Sequence, residues 1–458
     1  MAFLRFIYQL LLGNQPVFTL FGVEIPLLVL ILIPVGLYFT LRTKLLPIRM
    51  FPEMIRISVE KNQTKTGGLS GWQALIVSTA TRIGMGNMAG VVAAVSLGGA
   101  GAVFWMWVTA LIGSATAYVE GTLAQIHNED DPLYGGKRGG PAYYIHALFA
   151  GKKKKSILAV LFAVSALVCW CGVSQIASNS VTDAFSHAFG IAPWITAAVL
   201  LILAAVIVLR KNATVKVLDI MVPIMAIAYF VITLVIIGLN ITQIPAVFSR
   251  IFEEAFGLRQ MAAGGFGGAL MFGVKRGLFS NEAGSGSAPC ASAAGEVSHP
   301  AKSGLFQALG VIIDTIVICT CTAMLVLLAP ESAIAGQQGM GLLQAAMHHY
   351  LGDFGVVFTA VTLFLFCFST FIGLLYYARS NVAYLCGDNW WSQTAYKVLA
   401  LIMLFVGGIA QPSFVWDLGD IGIALTTIFN MTAILPMGGQ AIRALDDYNK
   451  IRKKERSL

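Results

Sequence analysis

The sequence predicts an all-α polytopic membrane protein of about eleven transmembrane helices, and three observations predict it. Of its 458 residues, 57% are hydrophobic and only 11% are charged, where soluble domains carry about 25% charged residues. Apolar stretches near 20 residues recur along the chain, the length that crosses a hydrocarbon core of roughly 30 Å. Two of those stretches are interrupted in mid-span by glycine clusters, Thr81-Arg82-Ile83-Gly84-Met85-Gly86-Asn87 and Ala263-Gly264-Gly265-Phe266-Gly267-Gly268. Non-helical backbone survives at membrane depth only where it lines a protein-enclosed cavity. A pair of broken helices in corresponding positions of two halves points to a transporter's substrate site.

The elements follow in order. Residues 1–60 hold an N-terminal segment, a first span and a cytosolic linker. Phe3, Leu4, Phe6, Ile7, Leu10 and Leu11 form the apolar face of an interfacial amphipathic helix. The first strongly apolar run lies beyond residue 25, so no cleavable signal peptide is expected. Spans are expected at about 22–41, 70–97, 101–126, 156–186, 193–209, 215–238, 260–279, 304–329, 354–378, 394–410 and 415–437. The first is peripheral. The other ten divide into two sets of five, about 61–240 and 255–440, which together make a transport core at 61–440. An odd number of spans per set forces the two copies into opposite orientation, giving inverted-topology repeats. Hydrophilic loops are expected at 127–155 and 280–303, and a basic cytosolic tail at 441–458.

Charge distribution sets the orientation. The formal net charge is +8, but it is not a nucleic-acid signature. With the N-terminus outside and alternating spans, 26 of the 30 Lys and Arg residues fall in cytosolic segments, while Arg5, Arg250 and Arg259 fall outside and Arg82 lies within a span. The positive-inside rule then places the N-terminus outside and the C-terminus in the cytosol, as expected for a multi-pass protein of the cell inner membrane. The run Lys152–Lys155 reads as a topology anchor and a lipid contact.

Other chemistry finds little support. Cys169/Cys171 and Cys319/Cys321 are spaced C-x-C inside apolar spans with no histidine at ligand spacing, so they read as small packing residues. No Walker sequence, dinucleotide fingerprint or His-Glu-x-x-His run occurs, which removes the sequence grounds for ATP-driven transport or metalloenzyme chemistry. All six histidines lie at span ends or in loops, so an intramembrane enzyme is a poor reading and the chain is not expected to be an enzyme. A channel or exporter for small polar solutes is a further class; the concentration of irregularity at two breaks argues for alternating access instead.

A zwitterionic solute at the membrane midplane needs both charges satisfied without water. Unwinding a helix frees N–H groups at one new end and C=O groups at the other, and the two ends carry opposite partial charges. The N–H groups around Gly84, Gly86 and Asn87 suit a carboxylate, with Thr81 beside them; carbonyls from Ala80 to Ile83 suit a cation. Glycine-mediated packing is the competing reading, because Gly86-x-x-x-Gly90 also fits a close helix contact. In the second cluster Gly265, Phe266 and Gly268 are expected to supply the opposing face, with Phe266 on the substrate side chain and the flanking glycines freeing carbonyls for the ammonium; close packing around one aromatic competes here as well. Gln175 in the fourth span is a candidate hydrogen-bond partner for substrate. Arg82 and Asp314 lie at similar depth, which permits a salt bridge, and Glu120 is a rival partner. Asp314 and Glu120 also keep a proton-coupled variant open.

Longer motifs carry a family resemblance. The stretch from Gly84-Met85-Gly86-Asn87-Met88-Ala89-Gly90-Val91 to Gly101-Ala102-Val103-Phe104-Trp105-Met106-Trp107-Val108, and the run Arg276-Gly277-Leu278-Phe279-Ser280-Asn281-Glu282-Ala283-Gly284-Ser285-Gly286-Ser287-Ala288-Pro289, resemble the alanine or glycine:cation symporters. The pair Asp314-Thr315 and the run Phe368-Ser369-Thr370 match that family too, so the resemblance covers about 65–440. It implies a leucine-transporter-like fold of five-plus-five inverted repeats with one extra N-terminal span, and sodium-coupled uptake of alanine or glycine. It implies a sodium shell formed by carbonyls of Ala80, Ile83 and Phe366 with the hydroxyls of Ser369 and Thr370. Without the family, Ser369 and Thr370 would read as hydroxyls bonded back to the preceding turn. Two departures bear on substrate. Met85 stands where the family commonly has threonine, and anchoring on Asn179-Ser180 puts Ala177 where its glutamine is expected, displacing Gln175. The alternative function is proton-coupled transport or export of another small polar solute.

Overall fold

A computed structural model describes residues 8, 11–12, 18–20, 23–60, 69–149, 155–209, 213–258 and 265–456. Phe3, Leu4, Phe6, Ile7 and Leu10 of the expected amphipathic helix, Gly264, and Lys152 to Lys154 lie outside them. Each of the eleven expected spans overlaps a helix. The main helices are α1 (Leu27–Arg42), α2 (Phe51–Ser58), α3 (Gly71–Arg82), α4 (Val91–Gly98), α5 (Gly101–Ile126), α6 (Ile157–Phe189), α7 (Pro193–Val208) and α8 (Ala213–Leu239). They continue as α9 (Ile244–Ala255), α10 (Gly265–Asn281), α11 (Pro289–Ala294), α12 (Pro300–Leu327), α13 (Gly339–Leu351), α14 (Asp353–Cys386), α15 (Trp390–Ile409) and α16 (Pro412–Arg456). Among the described residues, seven helices are long and apolar enough to cross a membrane by themselves.

Burial sorts the helices into an inner group and a rim. On α8, Ile220, Ile224 and Ile227 are 67%, 63% and 62% exposed, and they recur at the spacing of one helix face. Water would penalise such a stripe, whereas lipid tails accept it. Helices α5, α6, α12 and α14 instead bury more than half of their residues, as does the most apolar stretch of α16.

Two interruptions sit in the middle of this inner group. The capping box of Ser70 and Gln73 starts α3, with each residue satisfying an otherwise orphaned N–H of the other. The helix stops at Ile83, whose ψ of 77° leaves helical geometry. It resumes through a π-helical turn over Gly86–Gly90 that runs into α4. This is the first expected break, at its expected place.

The described part of the second glycine cluster holds no break: Gly265, Phe266, Gly267 and Gly268 are helical within α10, which runs unbroken to Asn281, while Ala263 and Gly264 lie outside the described residues. The chain unwinds at 282–288, where Glu282, Gly284 and Gly286 take φ of 55°, 94° and 81°. Pro289 then starts α11, at the first helical position where its missing N–H costs nothing. The expectation of a hydrophilic cytosolic loop over 280–303 fails for its first part, because residues 280–295 are buried. Lys275 and Arg276, counted among the cytosolic cations, are buried inside α10 and leave that count.

Opposite ends of the two broken helices are held differently. Leu69 and Ser70, just ahead of α3, pair in parallel with Gly295 and Glu296, just after α11. On α10, Lys275 and Arg276 bind Asp420 of α16 at 2.6 and 3.0 Å.

Candidate substrate and cation site

The two breaks touch. An ideal Cβ on Gly86 would lie 2.9 Å from Ser280 Cα, so only glycine lets the outer half of the first helix lie against the end of α10. Arg82 Nε donates to the Asn281 carbonyl at 2.8 Å, and its Nη1 donates to the Gln307 carbonyl and Oε1 at 3.3 and 3.0 Å. Among the described residues Arg82 forms no ion pair with Asp314 or Glu120, so neither expected salt bridge forms. Equal depth along two spans places side chains at one level but does not turn them toward each other.

Both carboxylates are used elsewhere. Asp314 sits in a π-helical stretch of α12, Ile312–Cys319, opposite the π-turn of the first break. Asn87 Nδ2 donates to Asp314 Oδ1 at 2.7 Å and to its carbonyl at 3.1 Å, while Ser280 and Thr315 donate to Asp314 Oδ2 at 2.9 and 2.6 Å. The side-chain oxygen of Asn87 accepts the Gly84 N–H at 2.9 Å. Asn87 therefore holds the shape of the first break from within, with its polar atoms engaged by protein. Glu120 holds the second, accepting the N–H groups of Gly284 and Gly286 at 2.9 and 3.1 Å and a further bond from Asn430 Nδ2. Peptide N–H groups buried in an unwound segment need such partners.

An oxygen cluster borders the first break. Ser369 Oγ on α14 donates to the carbonyls of Ala80 at 3.2 Å and Phe366 at 2.9 Å, and Thr370 Oγ1 donates to Phe366 O at 2.9 Å. Gly84 packs directly on this group: a Cβ there would fall 1.9 Å from Thr370 Oγ1. Ala80, Phe366, Ser369 and Thr370 are thus brought together as expected, with Ile83 at the turn beside them. Hydroxyl and carbonyl oxygens without carboxylate or thiolate are the donor set of a hard cation. Among the described residues no group of three or more His, Cys, Asp or Glu could hold a metal ion.

Between the breaks lies a narrow cavity. Thr81, Glu282, Ser285, Ser287 and Thr370 contribute its polar lining, and Met85, Gly86, Trp170, Val173, Phe279 and Ile423 contribute apolar surface. Its centre admits about one water, so a solute needs the walls to part. Met85 and Gly86 belong to the first turn of the resumed helix, where helical geometry leaves N–H groups without partners inside the helix. Thr81 Oγ1 lies 2.7 Å from the Tyr377 hydroxyl and 3.3 Å from Glu282 Oε2.

Other expected substrate residues lie away from this cavity. Phe266 packs edge-on against Trp105 at 5.9 Å between centroids, about 22 Å along α10 from Asn281 at 1.5 Å per residue. Gly265 and Gly268 share its turn, and Gly268 O packs near Gly98. Gln175 faces α15, its Nε2 3.3 Å from Met403 Sδ. Sequence reasoning missed Trp170, Phe279, Glu282, Ser285 and Ser287. The signal for the last three was present in the alternation of glycine and hydroxyl residues from Asn281 to Pro289, whose polarity reads as a surface loop.

Residues 16–458 match the sodium:alanine symporter family. The sodium/alanine symporter AgcS of Methanococcus maripaludis is 36% identical over 436 residues, covering 94% of this chain and 96% of that protein. A Bacillus subtilis protein named "Probable sodium/glutamine symporter GlnT" is 38% identical over 429 residues, covering 93% and 88%. Among solved structures, the manganese transporter of Eremococcus coleocola aligns with a TM-score of 0.52 at 12% identity, covering 86% of this chain and 80% of that one, a likeness of fold alone. With a family match over almost its whole length and two helices unwound at a shared cavity, the chain belongs to the sodium:alanine symporter family and is a multi-pass membrane transporter, not an enzyme.

Proposed function

We propose that this transporter couples sodium to the uptake of a small neutral amino acid, alanine or glycine, by alternating access. The observation that carries the reading is the contact of two unwound segments around one cavity, with Ser369 and Thr370 bonded to carbonyls bordering the first. Sodium, moved as a co-substrate, takes the carbonyls of Ala80, Ile83 and Phe366 and the hydroxyls of Ser369 and Thr370. The substrate carboxylate takes the N–H end of the outer half-helix at Met85 and Gly86, where helix geometry favours an anion, with Thr81 at its side. Gly84 and Asn87 shape that end. The narrow apolar walls of Met85, Phe279 and Trp170 suit a methyl group or hydrogen as side chain.

The architecture in this reading is leucine-transporter-like: two inverted sets of five spans over about 61–440, preceded by one peripheral span, with the N-terminus outside and the basic tail in the cytosol of the inner membrane. Lipid surrounds the apolar rim. The name of the alanine symporter relative supports the substrate class, and that of the Bacillus relative makes glutamine the competitor to test.

Uptake of labelled alanine into proteoliposomes, with sodium and proton gradients imposed separately, tests the proposal. Sodium-driven accumulation displaced by unlabelled glycine or alanine supports it. Accumulation driven by a proton gradient alone, or displacement by glutamine but neither small amino acid, overturns the ion or the substrate respectively.

A further inference from the structure

We infer that Glu282 is the binding partner of the substrate's ammonium group. This rests on the reading of the cavity as an amino-acid site and goes beyond it by naming the residue that makes a primary amine obligatory. Among the described residues Glu282 is the one carboxylate lining the cavity, and it is buried. It accepts one hydrogen bond among those residues, from Thr81 Oγ1 at 3.3 Å. No Lys, Arg or His of the described residues lies within ion-pair distance of it. Arg82 gives its Nε to Asn281 O and its Nη1 to Gln307, and its buried Nη2 has no hydrogen-bond partner among the described residues, so its charge acts on Glu282 through space without an ion pair.

Its two neighbouring carboxylates each accept three hydrogen bonds, whereas Glu282 accepts one among the described residues. Glu120 accepts two backbone N–H groups and Asn430. Asp314 accepts from Asn87, Ser280 and Thr315. A buried carboxylate without partners is costly unless a cation completes it. Backbone geometry adds a second observation. Glu282 holds φ of 55°, a left-handed conformation uncommon for a residue with a side chain, and such strain gathers at functional sites. A glycine would adopt it freely, so the side chain is retained at the cost of strain. Across the cavity, Met85 and Gly86 offer the N–H groups proposed for the carboxylate. A zwitterion laid between them places its ammonium toward Glu282.

The recognised class is therefore an α-amino acid with a free primary amine. Carboxylates of the same size without nitrogen are excluded. The test measures binding to purified protein in sodium for the parent, Glu282→Gln and Glu282→Asp, using alanine, glycine, glutamine and propionate, together with the rise in melting temperature that sodium alone produces. Expected results are alanine binding by the parent without competition from propionate, and alanine affinity lowered at least about 100-fold in Glu282→Gln, as when one partner of a buried pair is lost. Glu282→Asp, which keeps the charge, retains selectivity for alanine over propionate, and the sodium-induced shift survives in both variants and reports their fold. Unchanged alanine affinity in Glu282→Gln overturns the inference while leaving the amino-acid reading intact. Loss of the sodium-induced shift in Glu282→Gln, with the shift kept in Glu282→Asp, also overturns it and makes Glu282 a sodium ligand. A parent that binds none of the three amino acids overturns the underlying reading and the inference with it.

Discussion

Substitution of Gly84 by alanine tests the cation site at its tightest contact. The new Cβ would lie 1.9 Å from Thr370 Oγ1, 3.0 Å from the Thr81 carbonyl and 3.3 Å from Thr370 Cβ. The first of these distances cannot persist. The cheapest relief is rotation of Thr370, since threonine has two usable χ1 wells in a helix. Rotation breaks the bond from Thr370 Oγ1 to Phe366 O and removes one oxygen from the proposed shell. A lost hydrogen bond costs about 1 kcal/mol, and residual off-rotamer strain adds about 0.5–1.5 kcal/mol. The sum, about 2 kcal/mol, is roughly a 30-fold rise in the sodium concentration for half-maximal uptake.

A double-mutant cycle separates this mechanism from others. Thr370→Ala alone removes the same oxygen and raises the sodium requirement. In Gly84→Ala/Thr370→Ala the colliding atom is gone, so the pair should need no more sodium than Thr370→Ala by itself. Such strong non-additivity is the mark of residues in contact. If the two penalties add in full, Gly84 acts by another route, such as the aim of the adjacent N–H groups, and the steric account is refuted. A sodium dependence unchanged in Gly84→Ala refutes the shell itself.

Phe266→Ala is expected to leave the competition profile of small against large amino acids unchanged, because its ring packs on Trp105; Phe279→Ala, on the cavity wall, should admit larger side chains in the same panel. Gly90→Ala should keep near-parental activity, since its Cβ meets only Phe279 Cδ1 at 3.8 Å. Gly101→Ala meets backbone atoms of Glu254 and Ala255 at 2.5 Å and should cost about 1–3 kcal/mol by overpacking, read as a lower melting temperature. Burial of Glu53 opposes its charge, but Arg56, Tyr448 and Arg452 outweigh it and hold its pKa at about 2. The stability it lends is complete above its ordinary value of 4.5 and is lost as pH falls through about 2. Glu53→Gln should therefore flatten melting temperature against pH over that interval, and an unaltered curve would show that other carboxylates govern it.

The spans and the first break were legible because both signals act over many residues or through a strong local rule. Twenty apolar residues leave little choice but a membrane helix. Gly84 and Gly86 interrupt such a run with no other residue able to fit, as their Cβ contacts with Thr370 and Ser280 show. The second break was hidden by its own solution to burial. An unwound segment must satisfy its peptide groups, and Glu120, Asn281 and Asn430 do this for 283–286. Many of the residues that make such a segment tolerable are polar, so a polar run replaced the expected apolar one and resembled a loop. Glycines at 265, 267 and 268 imitated a break while lying within a continuous helix, where Gly268 O packs close to Gly98. The ambiguity between packing and unwinding that applies to any glycine cluster thus fell one way in the first helix and the other way in the second.

Sharing one break between two ligands gives a physical basis for coupling. The proposed cation lies at the Ala80 and Ile83 carbonyls, and the proposed carboxylate lies at the Met85 and Gly86 N–H groups. Five residue steps separate Ala80 from Met85, on the order of 7 Å across the interrupted turn. Opposite unit charges at that separation attract by about 2.4 kcal/mol at an effective dielectric constant near 20, roughly a 50-fold effect on affinity. That is sufficient to make the carboxylate bind weakly until sodium is present, without any movement of the protein. Linkage makes the effect reciprocal, so the amino acid must raise sodium affinity by the same factor. Gly84 stands between the two ligands, with Thr370 against its Cα and Asn87 holding its N–H. Any change that swings this turn moves carbonyl and N–H ends together, so neither ligand's geometry can be altered alone.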